Sequence, residues 1–87
     1  MGFRKLCGVA LPEEKQGLIR YTCLNEASQP KRVRDKIQRL CDAVGGEYAD
    51  ALFEVMCTKR SIMKIAMEHY ISESQLYRLR KKFYESW

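Results

Sequence analysis

Hydroxyl, phenol and cationic side chains lie close together in the segment "YISESQLYRLRKKFYE", from Tyr70 to Glu85. On a helix of about 3.6 residues per turn, residues at i, i+3, i+4, i+7, i+8 and i+11 share one face. Here that face carries Ser74, Tyr77, Arg78, Lys81, Lys82 and Glu85. Short polar and guanidinium groups near the start of such a helix can bond base edges in a DNA major groove, and ammonium groups further along can meet phosphates. The pattern therefore favours non-covalent recognition of double-stranded DNA.

The start of the same helix carries a capping signal. Ser72 and Gln75 form the pattern S-x-x-Q, in which the two residues exchange hydrogen bonds between side chain and backbone N–H. The free N–H groups at Ser72 to Ser74 could also hold a phosphate. The candidate DNA-binding residues are Ser72, Glu73, Ser74, Gln75, Tyr77, Arg78, Lys81 and Lys82.

Positive charge is concentrated in the same region. The sequence has 16 Lys and Arg residues against 11 Asp and Glu residues, a formal net charge of +5. Residues 58–87 hold seven of the cations and three of the anions, so +4 of this charge lies there. A localised basic surface suggests an anionic partner, although a terminal run of charges also serves as a solvated face. That solvated face is the alternative interpretation of Tyr77 to Lys82.

Several other residues that could take part in binding or catalysis are expected to have structural roles. His69 lies near a helix end, where a histidine is expected to cap backbone carbonyls rather than to serve as a base or metal ligand. The second basic set, between Lys31 and Arg39, alternates with core positions and is expected to be a solvated face rather than a phosphate clamp. Trp87 is expected to pack on a neighbouring helix or a partner subunit. Aromatic residues could also stack on unpaired bases, but Phe83 suits the core better.

The sequence predicts no enzyme, no cofactor and no metal site. The four cysteines, at positions 7, 23, 41 and 57, include no C-x-x-C pair, so we expect small buried side chains of a reduced intracellular protein. No glycine-rich phosphate loop and no Ser/His/Asp set with an orienting partner is present. The apolar run "LCGVAL" is too short for a signal-peptide core or a membrane span. We therefore expect a cytoplasmic protein without membrane contact.

The elements that must position the candidate face are all predicted to be helices. A first helix is expected from Pro12 to near Ala27, with two glutamates in its first turn, where the helix dipole favours them. A second helix follows Ser28, and Gly45 and Gly46 end it. Its apolar stripe is Val33, Ile37, Leu40, Cys41 and Val44. A third helix, about Glu47 to Cys57, is expected to bury Tyr48, Ala51, Leu52, Val55 and Met56.

The last two helical patterns, "SIMKIAMEHY" and "ISESQLYRLRKKFYE", are separated by a break of only three or four residues, which is helix-turn-helix spacing. Ala66 is small enough for two crossing helices to approach closely, and Ile71 is expected to fill the wedge between them. One side of the first helix carries Ile62, Ile65, Ala66 and His69, and one side of the second carries Leu76, Leu79 and Phe83.

The stretch Ile62 to Phe83, about a quarter of the chain, resembles the helix-turn-helix of sigma-factor region 4. It also resembles small phage and mobile-element regulators of the ArpU and RinA types, in which strings like "IA…SESTVYR" are common. The resemblance implies that the second helix enters the major groove. It implies base-facing or backbone-facing roles for Ser72, Glu73, Ser74, Tyr77 and Arg78, and an internal scaffold of Ile65, Ala66, Ile71, Leu76 and Leu79. Such turns usually carry a left-handed glycine after the first helix, where this chain has Tyr70, so the resemblance leaves the length and geometry of the turn open.

These observations predict one all-α domain of about five short helices over residues 1–87. It consists of an N-terminal arm (1–11), supporting helices (12–57) and a helix-turn-helix (61–85). The predicted function is sequence-specific binding of double-stranded DNA by a transcriptional regulator of bacterial, phage or mobile-element origin, with RNA polymerase or a second copy of the chain as further partners. The alternative is a protein-interaction module whose basic face meets RNA polymerase or a phage packaging protein without binding DNA. A structural oligomer formed through the apolar arm is a third possibility.

Overall fold

The computed structural model describes residues 13–87, so the predicted arm at 1–11 and Pro12 lie outside the described residues. Residues 13–87 form five α-helices and two short 3-10 helices and contain no β-strand, which confirms the all-α prediction. The α-helices are α1 (Glu13–Leu24), α2 (Lys31–Gly45), α3 (Ala49–Cys57), α4 (Ile62–His69) and α5 (Glu73–Ser86). The 3-10 helices are Glu26–Ser28, between α1 and α2, and Gly46–Tyr48, between α2 and α3.

Two helix boundaries differ from the prediction because 3-10 turns replace α-helical ones. The first helix, expected to end near Ala27, ends at Leu24, and the 3-10 helix Glu26–Ser28 follows it. The third helix, expected from about Glu47, begins at Ala49. Short 3-10 turns are frequent at helix ends, where the α-helical ladder of hydrogen bonds cannot continue, so these residues stay coiled without belonging to the α-helix.

The second helix follows its sequence pattern. Pro30 is the residue before α2, with an extended backbone (φ −58°, ψ 155°), and Gly46 ends the helix at φ 56°, a conformation that glycine adopts without steric cost. In the apolar stripe, Ile37 and Cys41 are fully buried. The other three residues, Val33, Leu40 and Val44, are partly buried against the same core. The predicted stripe is therefore confirmed, and it fixes which side of α2 faces inward.

Helix α3 lies at the centre of the packing. It contacts each of the other four α-helices. Ala51, Leu52 and Met56 are completely buried, and Val55 nearly so, as predicted, while Tyr48 in the preceding 3-10 helix is only partly buried. A nine-residue helix surrounded in this way is apolar on most of its surface, and its polar residues Asp50 and Glu54 lie where it is exposed or partly exposed. The remaining helices, including α4 and α5, are held against it.

Arg20 on α1 fastens the end of α3. Its Nη1 donates to the carbonyl oxygens of Val55 and Met56, the latter at 2.8 Å, and its Nη2 donates to the carbonyl oxygen of Thr58 at 3.1 Å. Carbonyls in the last turn of a helix have no partner within the helix, so a charged donor that bonds several of them stabilises the helix end. This contact holds the point from which the chain leaves α3 towards α4.

A charged network then ties α4 to α3. The Arg60 guanidinium bonds the carboxylates of Glu54 on α3 and Glu68 on α4. His69 Nε2 pairs with the second carboxylate oxygen of Glu54, so the expected role of this histidine as a cap of backbone carbonyls is wrong. The hydrogen bond from Arg60 lowers the pKa of the Glu68 carboxyl below its usual value of 4.5. The network links α4 to α3 at the protein surface.

Candidate nucleic-acid interface

Helices α4 and α5 are joined by the three residues Tyr70 to Ser72. Tyr70 has φ 55° and ψ 43°, and it is the single non-glycine residue with positive φ between positions 13 and 87. The N–H groups of Tyr70 and Ile71 both donate to the carbonyl oxygen of Ala66, an arrangement that closes many helix ends. Tyr70 itself thus takes the left-handed conformation that is usual for glycine at this place.

The residues expected to form the internal scaffold of this unit are buried. Ile65 and Leu76 are fully inaccessible, and Ala66 and Ile71 retain 6% and 8% exposure. Leu79 is partly buried against the same core. Phe83, further along α5, is also completely buried. The side of α5 that faces the protein is therefore settled, and its opposite side is left to solvent.

Ser72 caps the start of α5, as the sequence predicts. Ser72 is the N-cap residue, with an extended backbone, and its Oγ accepts a hydrogen bond from the backbone N–H of Gln75 at 3.2 Å. This is the serine half of the capping box. Ser74 Oγ lies 3.4 Å from Ser72 Oγ, so the two hydroxyls stand together at the end of the helix. The first turn of α5 thus presents two hydroxyls and the carboxylate of Glu73 to solvent.

The candidate residues of α5 share one outward surface. Gln75 is half-buried beside the core. The other seven are exposed: Ser72, Glu73, Ser74, Tyr77, Arg78, Lys81 and Lys82. We call this set, without Gln75, the α5 face. The polar groups of the α5 face lie in the first turn, and its cations follow towards the C-terminal end. These residues share one side of α5 because their spacing in the sequence matches the helical repeat. The structure places the predicted residues side by side and accessible, as a binding surface requires.

Arg80 is a part of the site that sequence reasoning missed. Its guanidinium carbon lies 4.9 Å from the centre of the Tyr77 ring, one helical turn away. Desolvation by burial lowers the pKa of Arg80, and its Nε is buried with no hydrogen-bond partner among residues 13–87. A cation over an aromatic face attracts the ring, so Arg80 holds Tyr77 along the helix surface. The Tyr-x-x-Arg spacing was the available signal, since residues three apart on a helix are neighbours.

The other aromatic residues near the end of α5 turn inward. Phe83 and Tyr84 are buried, which rules out their stacking on bases in this conformation. Trp87 is partly buried, with its ring centre 6.0 Å from that of Phe83, and Lys36 Nζ on α2 lies 4.1 Å above it. The prediction that Trp87 packs on a neighbouring helix is confirmed. Tyr77 is the aromatic residue of α5 that remains exposed, at 47%.

The basic residues of α2 make mostly local contacts. Lys31 pairs with Asp35 at 3.4 Å, with both side chains largely exposed, and Arg39 Nε donates to the backbone carbonyl of Asp35. Lys36 makes a cation–π contact with Trp87. Arg32 and Arg34 are exposed. This arrangement agrees with the expected solvated face, in which ion pairs contribute little to stability.

The cysteines of the described residues pack in or against the core, and none belongs to the α5 face. Cys23 and Cys41 are buried and free, as expected, Cys57 is half-buried, and Cys7 lies outside the described residues. Burial raises the pKa of the Cys41 thiol to about 12, and a hydrogen bond with Cys57, together with burial, raises that of Cys23.

Within the described part of the chain, no three His, Cys, Asp or Glu side chains are grouped so as to hold a metal ion. None of the described helices has the length and apolar character needed to cross a membrane.

Residues 13–87 thus form a small helical unit with a polar and basic face on α5. Comparisons with protein-family models, curated proteins and solved structures found no match for this chain.

Proposed function

We propose that this chain binds double-stranded DNA as a helix-turn-helix protein, with α5 in the major groove. One observation carries the proposal: α5 buries one side and presents on the other an unbroken polar and basic surface, the α5 face. The three-residue turn with a left-handed residue supports it, because this is the connection by which two helices cross closely in DNA-binding units. The polar groups are also sorted along α5, with hydroxyls and a carboxylate at its start and cations further on, an order that capping and the helix dipole favour in any helix.

The sorting assigns different tasks to the two ends of α5. Fourteen residues at a rise of about 1.5 Å give a helix roughly 21 Å long, whereas the major groove is about 12 Å wide. The first turns can therefore reach base edges while the later turns leave the groove near the phosphates. Ser74, Tyr77 and Arg78 belong to the first group, and Lys81 and Lys82 to the second.

Glu73 and Gln75 complete the reading surface in this proposal. A carboxylate accepts from the amino group of cytosine, and an amide pairs with adenine, so both side chains can discriminate bases from the start of α5. The carboxylate also disfavours phosphate at its own position, which helps to fix the register of the helix on the duplex. Arg80 acts through Tyr77, whose ring it holds against the helix.

The biological setting belongs to the same proposal. The proposed DNA binding is that of a cytoplasmic transcriptional regulator of bacterial, phage or mobile-element origin, in line with the resemblance of Ile62 to Phe83 to sigma-factor region 4. RNA polymerase and a second copy of the chain are the partners that such a regulator would meet. In the rival function, the α5 face meets an acidic surface of RNA polymerase or a phage packaging protein, and duplex DNA is not bound.

The test is a salt series of binding measurements with the full chain. Duplexes are first selected from a random pool by gel shift, and fluorescence anisotropy is then recorded for a selected and a scrambled duplex. Neutralisation of about four to six phosphates gives a slope of log affinity against log salt of roughly −4 to −5. The selected duplex should bind more tightly than the scrambled one at every salt concentration. Lack of duplex binding at low salt would refute the proposal and leave the rival function.

A further inference from the structure

Two cysteine thiols from different helices meet at the end of α3. Cys23 lies in the last turn of α1 and is completely buried, whereas Cys57 is the last residue of α3 and is half-buried. The two thiols are hydrogen-bonded to each other, and both are free rather than joined in a disulfide. Neither residue belongs to the α5 face, so the proposed DNA binding makes no use of this pair.

Arg20, one helical turn before Cys23, holds the two thiols in reach of each other. Its guanidinium donates to the carbonyl oxygens of Met56 and Thr58, the residues on either side of Cys57. The end of α3 is therefore held against the stretch of α1 that carries Cys23. The Arg20 charge also acts on the Cys23 thiol. A nearby cation and partial exposure, as at Cys57, are features of reactive cysteines.

The two thiols differ in what they offer to a reagent. Solvent reaches Cys57 but not Cys23. The hydrogen bond with Cys57, together with burial, raises the pKa of the Cys23 thiol, so Cys23 keeps its proton. In proteins that respond to oxidants, an accessible cysteine is oxidised first and a neighbouring cysteine then displaces the oxygen. The geometry suits Cys57 to the first of these roles and Cys23 to the second.

Cys41 on α2 provides a comparison within the same molecule. It is completely buried, and its thiol is desolvated by the core without a hydrogen bond to another side chain among residues 13–87. A cysteine in these surroundings behaves as a small inert hydrophobic residue. What sets Cys23 and Cys57 apart is therefore the contact between their sulfurs together with the access of solvent to one of them.

We propose that Cys57 and Cys23 form an oxidation site, at which a peroxide converts the two thiols into a disulfide between α1 and α3. The Cys57 thiolate attacks one oxygen of hydrogen peroxide and breaks the O–O bond. Cys57 becomes a sulfenic acid, and the hydroxide that leaves takes up a proton to give water. The Cys23 sulfur then forms the S–S bond, and its proton leaves with the displaced hydroxyl group as a second water. The two thiols lose two electrons, which reduce one peroxide to two water molecules.

The disulfide changes the stability of the fold. The two sulfurs must close from hydrogen-bonding contact to an S–S bond length of about 2.05 Å. Cys57 can make this movement because it is the last residue of α3 and an extended residue, Thr58, follows it. The bond closes a loop of more than thirty residues in the unfolded chain and so lowers the entropy of that state. The equilibrium constant for unfolding should therefore fall on the order of a hundredfold.

The experiment treats the reduced full chain with hydrogen peroxide, denatures it, blocks the remaining thiols with iodoacetamide and identifies the products by mass spectrometry. Cleavage after glutamate separates the four cysteines into peptides 1–13, 15–26, 27–47 and 55–68. The expected product is a monomer in which peptides 15–26 and 55–68 are linked and peptide 27–47 is alkylated. Urea unfolding of the oxidised and reduced chains then measures the gain in stability, which dithiothreitol should reverse.

Cys23→Ala and Cys41→Ala are matched variants, because each removes one completely buried thiol. Cys41→Ala should form the disulfide at the rate of the wild type. Cys23→Ala should not form it, and its Cys57 sulfenic acid should accumulate and react with dimedone, a reagent for sulfenic acids.

Three results would overturn the proposal. Full alkylation of peptides 15–26 and 55–68 after peroxide treatment would show that both thiols are inert. A link between peptides 27–47 and 55–68 would make Cys41 the partner of Cys57. Disulfides formed only between chains would show that the two sulfurs do not close within one molecule. All three are measured on the wild type, so they depend neither on the folding of a variant nor on DNA binding.

Discussion

The order of residues along α5 predicts that Arg78→Ala and Lys82→Ala weaken DNA binding in different ways. Both side chains are exposed, so neither substitution removes core packing, and each should change the free energy of unfolding by no more than about 0.5 kcal/mol. The two residues are four positions apart, a separation of roughly 6 Å along the helix axis. In the proposed complex, Arg78 therefore lies beside the base edges and Lys82 beside the phosphates.

The expected magnitudes follow from the two kinds of contact. An arginine that bonds a guanine contributes about 1–3 kcal/mol, so Arg78→Ala should weaken binding to the preferred duplex roughly 5- to 150-fold and relax the preference at one position. A lysine on a phosphate contributes about 0.9 to the salt slope. Between about 50 mM and about 200 mM salt, the loss caused by Lys82→Ala should therefore shrink about 3.5-fold, and equally on all sequences.

Anisotropy titrations on the preferred and scrambled duplexes, at several salt concentrations, measure both effects. Lys31→Ala is the matched control, because Lys31 is an exposed lysine at the start of α2 that pairs with Asp35, and its loss changes the net charge equally. If Arg78→Ala and Lys82→Ala behaved like this control on both duplexes, the α5 face would be only a solvated surface. The reasoning from the order of its residues would then be wrong.

Four further changes test the scaffold and the contacts that sequence reasoning missed. Ala66→Leu should overpack the contact of α4 with α5 and lower the free energy of unfolding by about 1–3 kcal/mol, seen in urea unfolding, with DNA binding weakened as well. Arg20→Met should leave the carbonyls at the end of α3 without their charged donor and destabilise the fold by about 1–3 kcal/mol, whereas exposed Arg32→Met should not. Arg80→Met should reduce discrimination between the preferred duplex and single-base variants, because Tyr77 loses its cation, while the melting temperature is kept. Glu68→Gln should lower the melting temperature near neutral pH but not in acid: the depressed pKa of Glu68 gives stability above its usual value of 4.5, and this is lost as the pH falls through the folded-state pKa.

Each of these four predictions has a contrary outcome. Normal stability of Ala66→Leu would mean that the site can expand, and unchanged stability of Arg20→Met would mean that water replaces the guanidinium. If Arg80→Met discriminated between the preferred duplex and single-base variants as well as the wild type does, Tyr77 would not need Arg80 to hold its ring. A constant difference between Glu68→Gln and the wild type from about pH 6 to about pH 3 would exclude the Arg60 pair as the cause, and the effect should be small because both side chains are substantially exposed.

Local patterns in the sequence determined the helices and their inward faces. The spacing of Ile37 and Cys41 fixed the buried side of α2, and Ser72 marked the start of α5, because helix periodicity and capping involve residues only three or four positions apart. The outward surface of α5 followed from the same periodicity. These features are encoded within one element, so they can be read without knowing how the elements pack.

Contacts between distant residues were decided by the tertiary structure alone. Arg20 bonds carbonyls 35 to 38 positions away, and His69 pairs with Glu54 rather than with a backbone carbonyl. Lys36 lies over Trp87 because α2 passes the end of α5. Tyr70 takes a left-handed backbone that its residue type disfavours, since the packing of α4 against α5 outweighs a local cost of about 1–2 kcal/mol. Local sequence preferences amount to free energies of about this size. The burial of a shared core stabilises the fold far more, so it selects among the conformations that the local sequence favours.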